Sequence, residues 1–144
     1  MENEKINSHA LNEMFQNAHI AMQSISNLSP KVENSDVKEE LLSEYEEYEN
    51  FIGELSACMT EIGLKPEDIG VMKKAMLWGA IKMKTLTGAD KSKVAEMMIK
   101  GATMGITELT SLKNDGQLDE KTVEFLDKLL IIEESSIERL KAFL

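Results

Sequence analysis

Apolar side chains recur along this chain at intervals of three and four residues, the spacing that gathers them on one side of an α-helix. The first stripe, Leu11, Met14, Phe15, Ala18, Met22, Ile25 and Leu28, predicts a helix over about residues 5–28. Ser29-Pro30 ends it, because a residue before proline is pushed out of helical geometry. A second stripe, Val37, Leu41, Tyr45, Tyr48, Ile52, Leu55, Met59 and Ile62, predicts a helix over about 36–62, with Gly63 as its stop. A third stretch, about 67–86, is apolar over much of its surface, and Thr87-Gly88 separates it from a fourth, about 90–112. The fourth carries Val94, Met98, Gly101, Gly105, Leu109 and Leu112 on one face, with Ile99 and Ile106 round the side. Asn114-Asp115-Gly116 is a turn, and Asp119 caps a last helix over about 119–143.

The two-residue alternation of a strand is absent. Short connections make sequential helices antiparallel neighbours, so the expected fold is all-α: an up-and-down bundle of four to five antiparallel helices forming a single domain over residues 1–144. No linker, repeat or low-complexity segment divides it.

Composition narrows the function classes. Sixteen basic against 26 acidic residues give a net charge of −10 and a pI near 4.7, which argues against nucleic acid as a partner. The charge is uneven: residues 1–63 hold 13 acids and 3 bases, 64–114 hold 5 and 9, and 115–144 hold 8 and 4. Complementary segments of this kind suit attraction within the bundle or between protomers. The single Cys58 excludes a disulfide framework and a thiolate zinc site. Met1-Glu2-Asn3-Glu4-Lys5 opens no apolar leader, and no uncharged apolar run approaches a membrane span, so a cytoplasmic protein without a membrane partner is expected.

Catalytic signatures are missing. There is no phosphate-binding Gly-rich loop, no G-x-S-x-G, and Cys58 has no histidine nearby in sequence, since His9 and His19 both belong to the first helix. Gly101-x-x-x-Gly105 suggests close helix packing, and Lys100 and Glu108 beside it exclude a membrane reading.

The position that breaks the pattern is Glu133. Leu126, Leu129, Leu130, Ile137 and Leu140 surround it on one helix face, so a carboxylate occupies the centre of an apolar stripe. A carboxylate there must be protonated, paired, hydrogen-bonded or metal-bound. Two readings stay open. It bonds to Tyr45, Tyr48 or a lysine and sets the register of the bundle, or it centres a metal site. Counting 1.5 Å per residue from the turns puts His19, Glu47 to Glu49 and Glu96 to Ile99 at about its height. Glu44 borders the inner face of the second helix beside Leu41, Tyr48 and Phe51, and Glu47 follows it at i+3. The candidate metal set is therefore Glu133, Glu44, Glu47, Glu96 and His19. Such an oxygen-rich set favours Fe or Mn over zinc. Glu96 also has Lys93 and Lys100 within a turn, which reads as a surface ion pair. His9 and Glu13, though spaced i, i+4, project opposite Leu11, Met14 and Ala18 and read as surface residues.

Two helical hairpins, residues 5–62 and 90–143, with carboxylates near mid-height, resemble the ferritin-like bundle superfamily. The stretches from Ala95 to Ile106 and from Ile131 to Leu140 are similar to those of small bacterial members with a degenerate metal site. The superfamily's di-iron proteins place a Glu on two helices and Glu-x-x-His on two others. This chain has no Glu-x-x-His, and Glu133-Glu134-Ser135-Ser136 has Ser where His belongs. The resemblance thus implies the fold and a carboxylate centre without ferroxidase or oxygenase activity. The expected function is a non-enzymatic bundle whose buried carboxylates bind a metal. The alternative is an oligomerising interaction module, in which Phe125, Ile132, Phe143, Ile99 and Ile106 are surplus apolar surface covered in a homodimer.

Overall fold

The computed structural model describes residues 2–65 and 90–144, and the third predicted stretch, 67–86, lies outside them. Among the described residues the fold is all-α, with four long helices: α1 (Glu2–Leu28), α2 (Ser35–Glu61), α3 (Lys91–Asp115) and α4 (Glu120–Leu140). Short 3-10 turns follow α1 at Ser29–Lys31 and α4 at Lys141–Phe143. The last helix is thus shorter than 119–143, and α3 runs three residues beyond the expected Leu112.

Each boundary has a local cause. Asn34 caps α2, its side chain accepting from the N–H groups of Asp36 and Val37 at 3.0 and 3.1 Å. At the other end Gly63 takes φ +74°, and the N–H groups of Gly63 and Leu64 reach back to the carbonyls of Thr60 and Met59. That pair of bonds is a Schellman stop, which needs the left-handed geometry glycine adopts freely. Asp90 caps α3 through the Ser92 N–H, and Asp119 caps α4 through the Thr122 N–H at 2.8 Å. The Asp119 N–H in turn donates to the side-chain oxygen of Asn7 at 2.9 Å, tying the α3–α4 turn to α1.

α1 packs most extensively on α2, and α3 on α4; α1 also meets α3 and α4, and α2 meets α4. The shared core is built on fully buried Met14, Ile25, Leu41, Phe51, Leu55, Leu109, Leu126 and Leu129. Each such side chain contributes about 1.5–3 kcal/mol through removal from water. Phe51 and Phe125 meet edge to face at 6.1 Å between α2 and α4. The same interface carries Arg139 bonded to Glu40 at 2.5 Å and Glu47 at 3.2 Å, Ser136 bonded to Glu44, and Lys128 bonded to Glu54.

Three details depart from the sequence reading. The inner seam of α2 runs Val37, Leu41, Glu44, Tyr48, Phe51, Leu55, Met59, so Glu44 and Phe51 are buried while Tyr45 and Ile52 are half-buried and Ile62 is exposed. From Val37 to Leu55 the seam alternates four- and three-residue steps, as packing on a neighbouring helix requires, and that repeat passes through the glutamate. The small-residue pair on α3 is also divided: Gly105 is buried against other side chains, whereas Gly101 is exposed with nothing within 4 Å of a Cβ built there. Phe125, Ile132, Phe143 and Ile99, expected as surplus surface, are half-buried and pack against the core. The largest exposed apolar side chains are instead scattered among the helices, as with Met104 on α3 and Ile131 on α4.

Candidate functional site

The polar centre of the molecule is assembled by α1, α2, α3 and α4 together. Glu44 from α2 and Glu133 from α4 are 0% and 1% exposed, as deeply buried as the leucines around them. Ser136, one turn beyond Glu133 and also buried, donates its hydroxyl to Oε1 of Glu44. No donor reaches Oε2 of either carboxyl. On the opposite side, Gly105 of α3 lies against Glu133 so closely that a Cβ there would stand 2.7 Å from Oε2 and 2.9 Å from Oε1. The same Cβ would stand 2.9 Å from Nδ2 of Asn17, a buried residue of α1. Glycine at 105 is thus what leaves room for a carboxyl group inside the core.

Burial dominates the electrostatics. Removal from water pushes Glu133 up to about 8, with the charge of Glu108 adding to the effect. Glu44 is pushed up to about 8 by burial too, against the opposing hydrogen bond from Ser136 and with the charge of Glu40 assisting. Both are neutral acids at pH 7, and Glu40, one turn before Glu44, is the carboxylate to which a protonated Glu44 can donate. Tyr48, 2% exposed, is held well above the usual phenol range by burial and then by the charges of Glu133, Glu44 and Glu47. A neutral tyrosine therefore borders both acids.

The sequence candidates separate into groups. Glu133 and Glu44 share the core. Glu47 lies at its edge, where it accepts from Arg139 at 3.2 Å. Glu96 is exposed and pairs with Lys100 at 3.0 Å. His19 is half-buried against the ring of Phe15 at 4.4 Å, and burial lowers its pKa. The residues that do meet Glu133 are Gly105 and Asn17, nine positions beyond Glu96 and two before His19. The longer C-terminal end of α3 accounts for about a turn of that offset. Among the described residues no three His, Cys, Asp or Glu side chains converge as a metal-holding group.

Sequence reasoning missed Ser136 as a partner and Asn17 as a wall. Both are short polar residues with buried positions on amphipathic helices, a signal available only once the seam is known. It also missed a second cluster: His9 and Glu13 of α1 face Thr103, Thr107, Glu108 and Ser111 of α3 across a groove of about 600 Å³. There a hydrogen bond with Glu13, then burial and the Glu13 charge, push Glu108 up to about 7.

The fold and this centre define a class: an all-helical protein with a carboxylate-centred polar interior. A family model described as "Domain of unknown function (DUF2383)" matches residues 7–115, and the chain belongs to that family. The match covers Asn17, Glu44, Tyr48 and Gly105, while Glu133 and Ser136 follow it. Neither the curated proteins nor the solved structures hold a match. No helix among the described residues is long and apolar enough to cross a membrane.

Proposed function

We propose that the protein is a non-enzymatic, ferritin-like, up-and-down helical bundle that takes a divalent metal ion, Fe(II) or Mn(II), at Glu44 and Glu133. The antiparallel arrangement is supported by the order of three α2–α4 pairs, Glu40 with Arg139, Glu44 with Ser136 and Glu54 with Lys128, partners falling in number as α2 rises.

The observation that carries the metal reading is the pair of sealed carboxyls, each with one oxygen that no donor reaches. A buried oxygen without a partner costs about 1–3 kcal/mol, and a cation that displaces the two acid protons would satisfy both open oxygens. Gly105 leaves the room that the Glu133 carboxyl itself takes. When bound, the ion supplies the positive charge that lets both acids ionise in the core. Glu44 and Glu133 would hold it, with Tyr48 and Asn17 bordering the seat.

The donor set supports the non-enzymatic reading. Ser136 stands where the superfamily's Glu-x-x-His has its imidazole, and its hydroxyl is committed to Glu44. Two carboxylates without imidazole make a hard, oxygen-only seat. The test is purification without chelator, loading with Fe(II) or Mn(II), and elemental analysis of wild type beside E133Q and E44Q. Stoichiometric metal in wild type and loss in both variants is the expected result; no metal in wild type after loading overturns the proposal.

A further inference from the structure

Among the described residues, the open side of the bundle lies between α1 and α3. α1 packs most extensively on α2 and α3 on α4, and Arg139 and Lys128 bridge α4 to α2, whereas the α1–α3 side keeps a groove of about 600 Å³. Met104 and Leu112 line it with apolar surface, Met104 being 66% exposed, and Glu13 and Glu108 line it with carboxyl groups. A hydrogen-bonded pair of carboxyls that shares one proton keeps one negative charge. The groove is thus apolar and anionic together.

Residues 66–89 join Lys65, just past the end of α2, to Asp90, the cap of α3. The bond from the Asp119 N–H to Asn7 sets the α3–α4 turn beside the start of α1. The pairs Glu40–Arg139, Glu44–Ser136 and Glu54–Lys128 set the end of α2 beside the start of α4. Lys65 and Asp90 therefore stand at opposite ends of α3, a helix of 25 residues and about 37 Å. The chain between them must run the length of the bundle, and its 24 residues cover about 36 Å at helical rise.

Composition says which side it takes. The segment sets Lys73, Lys74, Lys82 and Lys84 against Glu67 and Asp68, in a chain that is otherwise acidic, and it is rich in apolar residues such as Met72, Met76 and Trp78. On the other sides carboxylates already have cations: Glu40 and Glu47 hold Arg139, Glu54 holds Lys128 and Asp127 holds Lys113. Height agrees as well. Lys73 is eight positions beyond Lys65, about 12 Å along the axis, and Glu108 is seven positions before the end of α3, about 10 Å from the same level. We propose that the α1–α3 groove is the seat of the chain's own segment 66–89, with its apolar residues on Met104 and Leu112 and with Lys73 and Lys74 at Glu13 and Glu108. Complementary charge fixes the register of such a contact, and burial of apolar surface holds it. The inference rests on the antiparallel reading of α2 and α4.

The test is carbodiimide coupling of carboxyls to lysines in the full chain, with unlabelled and nitrogen-15-labelled protein mixed equally and the linked peptides read by mass spectrometry. Bonds from Glu13 or Glu108 to Lys73 or Lys74 are expected within single-isotope products, with their loss in E13Q/E108Q. E46Q/E49Q, which removes the same charge from exposed positions of α2, should keep them. Coupling of Glu54 to Lys128 is expected in every sample and reports the α2–α4 order. If the groove acids couple to no lysine of 66–89 while Glu54 still couples to Lys128, the seat is overturned and the antiparallel reading stands. Absence of the Glu54–Lys128 product overturns that reading and the seat with it. Mixed-isotope products assign the groove to a second copy and overturn the intrachain seat, and coupling to Lys82 or Lys84 alone overturns the register.

Discussion

The hydroxyl of Ser136 on α4 donates to Oε1 of Glu44 on α2, a hydrogen bond between two residues 92 positions apart that are both sealed from solvent. It joins two helices at the level where the core is polar, and it leaves the remaining oxygen of Glu44 open. Replacement by alanine removes the donor and leaves a second acceptor of the same buried carboxyl unpaired. S136A should lower unfolding free energy by about 1–3 kcal/mol, the cost of a buried group without its partner. Urea denaturation of the metal-free protein reads it directly, and an unchanged midpoint would show that the bond contributes nothing.

Stability should fall as pH rises. Glu44 and Glu133 stand at about 8 in the folded protein against an ordinary value of 4.5, chiefly through burial. Between those values the unfolded chain has released protons that the folded chain keeps, so folding takes up protons. The contribution of the two acids is complete below about 4.5 and is lost as pH passes about 8, on the order of a few kcal/mol for each. Denaturation midpoints of the metal-free protein should decline across this window. E44Q/E133Q, which keeps shape without the ionisation, should flatten the profile over the same range.

Part of this centre is legible in the sequence. Glu133 announces itself because five apolar residues flank it at helical spacing, and position on an amphipathic face is a property of sequence alone. Helix stops were legible for the same local reason, as Gly63 and Asp119 show. The partners of Glu133 were not. Which residues stand opposite depends on helix length and on axial offset between helices, and the three-residue extension of α3 accounts for only about a turn of the nine-position shift from Glu96 to Gly105. Glu44 was ambiguous because Tyr45 and Ile52 make an equally regular stripe one position round the helix, and only contact with α4 decides between the two seams. The groove acids were hidden because Glu13 and Glu108 are 95 positions apart on helices whose facing sides no local pattern reveals.

The two glycines of α3 should respond in opposite directions. At Gly105 a methyl group would stand 2.7–2.9 Å from three polar atoms of Glu133 and Asn17, so the buried carboxyl and amide would have to shift within the core. G105A should therefore destabilise the protein by about 1–3 kcal/mol, the range for overpacked cores. Gly101 is exposed and meets nothing within 4 Å. G101A should stabilise by about 0.5–1 kcal/mol, because alanine loses less backbone freedom on entering a helix. Thermal unfolding of the two variants in parallel provides the comparison, with each serving as control for the other's helix propensity.

The groove pair should show its coupling through titration. Glu108 is raised to about 7 first by its hydrogen bond with Glu13, then by burial and the Glu13 charge. Such a bond exists only while one of the two carboxyls keeps its proton, so its contribution is complete below about 4.5 and is lost as pH passes about 7. Glutamine at position 13 removes the neighbouring charge and offers an amide N–H, which favours the ionised form of Glu108. The carboxyl carbon-13 signal of Glu108 should thus titrate near 7 in wild type and move towards the ordinary glutamate range in E13Q. A midpoint that stays near 7 would assign the shift to burial alone and break the pairing of α1 with α3 at this level.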